Sequence, residues 1–162
     1  MNRCIKYLIT ASLFVASSPA VAADIIARAE ATELLRTNGK AVPRVERDKD
    51  NHVVRLLLSN MELSREEVVD LGKLKHLRSL ILFRTNITDG DLTHLVKCKG
   101  LEHLNLTSTE VTNAAVEILL KFDSLKSLCL GDVNIDSESL EKLKERNRRG
   151  RDRLEWGYSQ RK

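Results

Sequence analysis

Apolar side chains recur along this chain with a fixed period of 24 residues. The pattern Leu-x-x-Leu-x-Leu begins at Leu77, and equivalent positions begin at Val53, Leu101 and Leu125. A period of this length, kept through four units without an insertion, is the sequence signature of a repeat protein. The other five apolar columns are Leu56, Leu80, Leu104, Leu128; Leu58, Leu82, Leu106, Leu130; Leu63, Ile87, Val111, Ile135; Val68, Leu92, Val116, Leu140; and Leu71, Leu95, Leu119, Leu143.

The spacing of the apolar positions changes within each unit, and this change predicts the local structure. Leu80 and Leu82 are two residues apart and therefore face one side of a short strand. Leu92 and Leu95 are three apart, which is the spacing on one face of a helix. A residue able to cap a helix precedes each helical segment, and Ser64-x-x-Glu67 has the form of a capping box. The four capping residues are Ser64, Thr88, Thr112 and Asp136.

The repeated unit therefore predicts an α/β solenoid with parallel strands on its concave face. One strand-turn-helix unit cannot bury its apolar side alone, whereas stacked units share a continuous core. We expect four units at residues 53–76, 77–100, 101–124 and 125–147. Residues 24–52 are predicted to form an N-terminal cap of a helix and a hairpin. Residues 148–162 are predicted to form a short basic C-terminal cap and tail, with an edge strand near 154–156.

The first 23 residues have the features of a secretory signal peptide. Arg3 and Lys6 precede an apolar stretch, and Ala20-Val21-Ala22 fits the small-x-small cleavage rule. The apolar stretch is shorter than the roughly 20 residues that span a bilayer. We therefore expect an exported protein, periplasmic, secreted or at the cell surface, with no transmembrane segment after cleavage.

Export changes the interpretation of charge and of cysteine content. Cleavage removes two of the 27 basic residues and none of the 23 acidic residues, so the net charge falls from +4 to +2. A charge this small gives no strong electrostatic bias toward nucleic acid. Cys98 and Cys129 remain, but the alignment places them at different points of the coil. The sequence therefore predicts no disulfide between them and no disulfide-stapled scaffold.

The segments LRSLILFRTNITDGDLTHL and LEHLNLTSTEVTNAAVEIL resemble the leucine-rich-repeat family, in its T-x-I/V-T-D variety. This variety is related to the cysteine-containing and ribonuclease-inhibitor-like repeats. Thr85 and Thr109 match the polar position of such repeats, where the first and last units carry Met61 and Val133. Together with the lead-in ATELLRTNGKAVPRVERDKDNHVV, the chain resembles exported bacterial (planctomycete-type) leucine-rich-repeat proteins. The resemblance implies a curved solenoid that presents its strand face to a protein partner.

Strand alternation places a set of side chains on the concave face, and three of them are large and apolar. Leu57, Ile81 and Phe83 lie on neighbouring strands at positions assigned to solvent, and contiguous apolar surface often marks an interaction site. The alternative is that one of the terminal segments folds over them. The predicted protein-binding residues are Arg55, Leu57, Ile81, Phe83, Arg84, His103, Asn105 and Cys129.

A basic run between residues 142 and 153 suggests a second kind of interaction. It comprises seven lysines and arginines, but acidic residues alternate with them and no stacking aromatic side chain lies within the run. A solvated helix end, favoured by the C-terminal dipole, accounts for this composition more simply than an anionic ligand does. The run carries the alternative function, contact of a structural or envelope-associated protein with an anionic polymer.

The sequence contains little that could support catalysis or metal binding. No nucleophile elbow, phosphate loop or zinc-protease motif is present. Cys129 and His103 are predicted on adjacent strands but two residues out of step. His52 and His76 share a frame position and are expected to stack, but two histidines without a carboxylate cluster make a poor zinc site. We expect neither enzyme activity nor a cofactor.

The sequence as a whole therefore predicts a non-catalytic protein-binding module that is a monomer with an unidentified protein partner. The structural role described above is the first alternative. Substrate recognition in a ubiquitin-ligase-like adaptor is a remote one, because similar repeats occur in F-box proteins. Nothing here resembles an F-box, however, and a signal peptide points away from the cytosol.

Overall fold

The computed structural model describes residues 23–34, 43–149 and 155–157. Nearly all of the predicted signal peptide therefore lies outside the described residues. The described residues form a mixed α/β structure with one six-stranded sheet and a few short helices. The elements in chain order are α1 (Ala23–Leu34), β1 (Arg44–Arg47), β2 (Val53–Leu57), α2 (Arg65–Leu71), β3 (Ser79–Ile81), α3 (Asp89–Leu95), β4 (His103–Asn105), a 3₁₀ turn (Asn113–Ala115), α4 (Val116–Leu119), β5 (Ser127–Cys129), α5 (Ser137–Arg149) and β6 (Glu155–Gly157).

The strands follow one another across the sheet in the order of the sequence. β1 is antiparallel to β2, and the five strands from β2 to β6 are parallel. Leu56, Leu80 and Leu104 are direct partners, and the strands from β2 to β5 are each offset by 24 residues, whereas β6 is offset from β5 by 28. The predicted edge strand near residues 154–156 corresponds to β6, which pairs in parallel with β5.

Pairing continues beyond the short strands into the turns that follow them. The amide of Leu82 donates to the carbonyl of Asn105 at 2.9 Å, and the amide of Arg84 donates to that of Thr107 at 3.0 Å. Equivalent bonds recur one strand earlier and one strand later. These bonds pair the amides that follow the strands, which matters because a buried unpaired amide is costly.

The core lies between the sheet and the helices, where the apolar columns meet. Leu80 of β3 and Leu82, which directly follows this strand, are fully buried, as are Leu92 and Leu95 of α3. They belong to one cluster that also includes Ile25, Ile26 and Ala29 of α1. The strand columns and the helix columns of the sequence thus bury against each other. The core is aliphatic almost throughout, with Phe122 as its aromatic member.

The capping residues act where the sequence predicts them, with differences in detail. Ser64 and Glu67 form a full capping box, with the Ser64 amide donating to Glu67 Oε2 at 2.8 Å. Thr88 begins α3, and its hydroxyl donates to Asp91 Oδ2 at 2.7 Å. Thr112 accepts from the amide of Ala114 in the 3₁₀ turn rather than from a regular α-helix.

Two buried threonine hydroxyls form hydrogen bonds with the backbone. Thr85 is buried, and its hydroxyl donates to the carbonyl of Leu82 at 2.8 Å. Thr109 makes the same bond to the carbonyl of Leu106 at 2.7 Å. A buried hydroxyl without such a partner would cost free energy, so these two bonds explain why threonine is tolerated in an aliphatic core.

The N-terminal helix is anchored to the first helix after it by an ion pair. Arg28 of α1 donates to Glu67, which is also the last residue of the capping box. A second Arg28 nitrogen donates to the carbonyl of Glu62 at 3.2 Å. On the other side of α1, Arg47 of β1 pairs with Glu30 at 3.1 Å.

Among the described residues, no helix combines the length and hydropathy needed to cross a bilayer.

The cap at Asp136 predicts a pH dependence of stability. The amide of Ser139 donates to Asp136 Oδ1 at 2.8 Å, and this bond holds the pKa of Asp136 below its ordinary value of 3.8. Because the folded-state pKa is depressed, the stabilisation is present above pH 3.8 and is lost as the pH falls through the folded pKa. Asparagine at this position accepts the same bond but does not titrate.

Asp136→Asn is therefore expected to give a shallower loss of unfolding free energy between about pH 5 and pH 2. Urea unfolding of both proteins across that range measures the difference in slope. Parallel pH profiles for the two proteins would show that Asp136 does not contribute in this way.

Candidate functional site

One face of the sheet is turned away from the helices and carries the residues predicted to bind a partner. We call it the open face. It consists of the strand side chains that alternate with the core columns. One in-register row comprises Leu57, Ile81, Asn105 and Cys129, and a second comprises Arg55, Ser79, His103 and Ser127. Phe83 and Arg84 follow β3 and lie beside the first row.

Three large apolar side chains of this face stand apart from the core. Leu57, Ile81 and Phe83 are half-buried, but they belong neither to the core cluster nor to the partly buried residues packed against it. Leu57 and Ile81 are direct partners in the sheet. The structure thus brings together the three residues that the sequence singled out as an apolar patch.

Arg84 lies directly on this patch. Its guanidinium carbon is 5.0 Å from the centroid of the Phe83 ring, within the range of a cation-π contact. Arg84 has a positive φ of 54°, and Asn60, Ser108 and Asp132, which are spaced 24 residues apart in the same series, have φ values of 60°, 56° and 55°. The left-handed conformation is therefore a property of the repeated turn, and it fixes the direction from which Arg84 reaches the ring.

The rest of the open face is more polar. His103 is exposed, and Asn105 and Cys129 are half-buried, with Asn105 Oδ1 accepting from the amide of Thr107 at 2.9 Å. Arg55 is exposed and pairs with Glu46 of β1 at 3.3 Å. The face therefore has an apolar region around β2 and β3 and a polar region around β4 and β5.

Two serines of this face are less accessible than alternation predicts. Strand alternation assigns Ser59 and Ser79 to the side that faces solvent, but each is buried. Ser79 lies in register between Arg55 and His103, whose longer side chains flank the small hydroxymethyl group. Neither serine is therefore available to a partner, and the open face presents fewer groups than the sequence predicts.

The two histidines stack as expected. The His52 and His76 rings are 3.9 Å apart between centroids and inclined by 18°. The expectation that no carboxylate lies nearby was wrong. The turn before β2 brings the side chains of Asp48 and Asp50 close to His52, with possible ligand atoms within 4.8 Å of one another.

This turn is built from its own hydrogen bonds. Asp48 Oδ1 accepts from the amides of Asp50 and His52, each at 2.9 Å, and the bond from His52 is the main reason that the pKa of Asp48 is lowered. All three residues are exposed, and the Asp48 carboxylate is already used to close the turn. That these histidines hold no metal remains a prediction.

Cys98 and Cys129 are both free, as expected. Cys98 is 2% exposed in the core, and burial raises its pKa to about 12, which leaves the thiol protonated and unreactive near neutral pH. Cys129 is directly opposite Asn105, and His103 is opposite Ser127, so the cysteine and the histidine are out of step. This register does not assemble a nucleophile and base.

Only the beginning of the basic run has described side chains. Lys142 lies 3.8 Å from Glu138, and Lys144 lies 2.7 Å from Glu141, both on α5. These pairs agree with a solvated helix face. The arginines from 146 onward, on which the anionic-polymer alternative depends, have no described side chains. The alternative that a terminal segment covers the apolar residues involves residues 35–42 and 158–162, which lie outside the described part.

Comparison with known proteins adds a distant structural similarity. No family model matches the chain, and no curated protein matches it. The crystal structure of PEPR1-AtPEP1 is similar to the chain with a TM-score of 0.43 and 17% sequence identity. The similarity covers 78% of this chain and 21% of that chain, so the protein spans about a fifth of its length. At this level of similarity, neither fold nor function is transferred.

Proposed function

We propose that this protein is an exported leucine-rich-repeat solenoid of four 24-residue units that binds a protein partner through its open face and has no catalytic activity. The in-register row of Leu57, Ile81, Asn105 and Cys129 carries this proposal. Neighbouring strands of one sheet lie about 4.8 Å apart, so the row is a continuous strip wide enough for a protein segment.

The apolar patch supports binding more than catalysis. Leu57, Ile81 and Phe83 are half-buried outside the core, and an apolar patch that does not contribute to the core is typical of an interaction surface. Cys129 and His103, the one nucleophile-base pair considered on this face, are out of register, which supports binding rather than catalysis. Export is supported by the signal-like residues 1–23.

Phe83→Asp is expected to weaken partner binding by at least tenfold. Ser59 and Thr107 occupy the corresponding positions on the neighbouring strands and are smaller, so the Phe83 ring projects beyond them. A partner that buries this ring would lose apolar contact and shape complementarity when aspartate replaces it. The test is a pull-down from the exported fraction of the source organism, with wild type and Phe83→Asp at equal folded fraction.

Ala114→Asp serves as the matched control. Ala114 is exposed in the 3₁₀ turn on the helix side, and an acidic residue is favourable near a helix N-terminus. A partner captured by wild type and by Ala114→Asp but lost by Phe83→Asp supports the proposal. A partner that Phe83→Asp captures equally well would move the binding surface away from the open face.

A further inference from the structure

We propose that the open face selects protein segments in which an aspartate or glutamate neighbours a large apolar side chain. This inference rests on the proposed function, because it gives the chemistry of the partner at the same face. The inference follows from two features that lie side by side. One is the apolar patch of Leu57, Ile81 and Phe83, and the other is Arg84, which forms no salt bridge with a carboxylate in the described part of the chain.

The apolar part of the surface is small and well defined. Leu57 and Ile81 are paired on adjacent strands, about 4.8 Å apart, and Phe83 is two residues further along from Ile81, about 7 Å away. An area of this size accommodates one or two apolar side chains of a partner. It is too small to serve as an extended hydrophobic interface by itself.

The charge next to this patch is the second observation. Arg84 is exposed, and within the described part of the chain it forms no salt bridge with a carboxylate. Arg55, the other exposed arginine of the open face, differs because Glu46 lies 3.3 Å from it. The residues at the equivalent neighbouring turns are Asn60 and Ser108, and neither carries a charge.

Asp132 is the acidic residue among these four turn positions, and it does not lie next to Arg84. Asp132 accepts from the hydroxyl of Ser108 at 3.0 Å, and its turn is two strands away from that of Arg84, about 10 Å. Arg84 therefore keeps its guanidinium donors oriented over the Phe83 ring. A guanidinium on an aromatic ring binds a carboxylate in two parallel hydrogen bonds, and such a pair is stronger than one between neutral groups.

Arg84 and the apolar patch together favour a partner segment in which an acidic side chain lies next to an apolar one. A carboxylate on the partner would pair with Arg84 while a neighbouring apolar side chain contacts Leu57, Ile81 and Phe83, and a basic segment would meet repulsion instead. A polyanion such as nucleic acid needs several cations along its length, whereas of the two arginines here Arg55 is paired with Glu46, and Arg84 lies beside three apolar side chains. The observations therefore favour a protein segment.

The experiment pans a phage-displayed library of random twelve-residue peptides on the purified chain. We expect the wild type to enrich peptides with Asp or Glu within two positions of Leu, Ile or Phe. The strongest peptide is then synthesised with a fluorescent label, and its affinity is measured by anisotropy. Arg84→Glu is expected to weaken binding by about tenfold, and replacing the peptide's acid with lysine should do the same.

Arg84→Glu itself provides the reverse test, because panning on this variant is expected to enrich lysine or arginine in place of the acid. Lys99→Glu is the matched charge control, since Lys99 is exposed in the loop before β4, and it should leave the peptide's affinity unchanged. Peptides lost with Phe83→Asp but insensitive to Arg84→Glu would overturn the acidic preference while leaving the proposed function standing. Peptides insensitive to both variants, or no enrichment at all, would overturn this inference.

Discussion

Replacing Leu80 with alanine is expected to lower the free energy of unfolding by about 3 kcal/mol. Leu80 lies in β3, is fully buried and is in register with Leu56 and Leu104, which are buried too. Removing its side chain leaves a cavity in the middle of the stack. The surrounding strands are fixed on both sides by parallel pairing, so the cavity cannot close easily.

Ile81→Ala is the matched control, because it removes a side chain of equal size from the next residue of the same strand. Ile81 points to the open face and is half-buried outside the core, so its loss is expected to cost about 1 kcal/mol or less. Urea unfolding curves with equal m-values give both differences. Equal losses for the two variants would mean that both faces of the sheet are buried, and the open face would not exist.

The second large effect is expected at Gly72, and it runs against helix propensity. Gly72 ends α2 with φ −61° and ψ −15°, a helical conformation in which alanine is ordinarily better by about 0.4–1 kcal/mol. A Cβ atom at this position, however, would lie 2.3 Å from the backbone oxygen of His94 on α3. Unlike a side chain, the His94 carbonyl cannot relieve this overlap by changing rotamer, so α2 and α3 would have to move apart. Gly72→Ala is therefore expected to destabilise the fold by about 1–3 kcal/mol.

Gly90 gives the opposite result and so tests the explanation. It lies in α3, where a Cβ atom would meet only the Thr88 hydroxyl at 3.8 Å. Gly90→Ala is therefore expected to stabilise the protein by about 0.5–1 kcal/mol. Thermal melting of the two variants beside the wild type should show shifts of opposite sign. Stabilisation by both would mean that α2 and α3 are further apart than the structure places them.

The periodic part of the fold could be predicted because burial follows periodicity. A column such as Leu56, Leu80, Leu104 fixes which face of each strand is buried, and the parallel register follows from the constant offset of 24 residues. The helix columns and caps were predicted on the same basis. The sequence does not predict burial or contacts that depend on which residues the fold brings next to one another.

Ser79 shows one limit, since its burial depends on the longer side chains of Arg55 and His103 that flank it. The ion pair from Arg28 to Glu67 shows another, because it joins residues 39 positions apart that no spacing relates. The contact of Gly72 with the His94 carbonyl likewise depends on how closely two helices pack. These features arise from three-dimensional packing and carry no periodic signal.

The candidate site divides in the same way. The sequence identified Leu57, Ile81 and Phe83 because large apolar residues at solvent positions stand out from the pattern. It included Arg84 but could not place it on the Phe83 ring, because that position depends on the left-handed turn that follows β3. The charge that gives the apolar patch its proposed preference therefore emerges only from the folded chain.

The most direct measurement is the capture of exported proteins by wild type, Phe83→Asp and Ala114→Asp, compared at equal folded fraction. We expect one or more proteins to be retained by the wild type and by Ala114→Asp at similar levels, and to be lost by Phe83→Asp. Equal capture by all three would contradict the assignment of partner binding to the open face, and would direct attention to the helix side or the basic C-terminal segment.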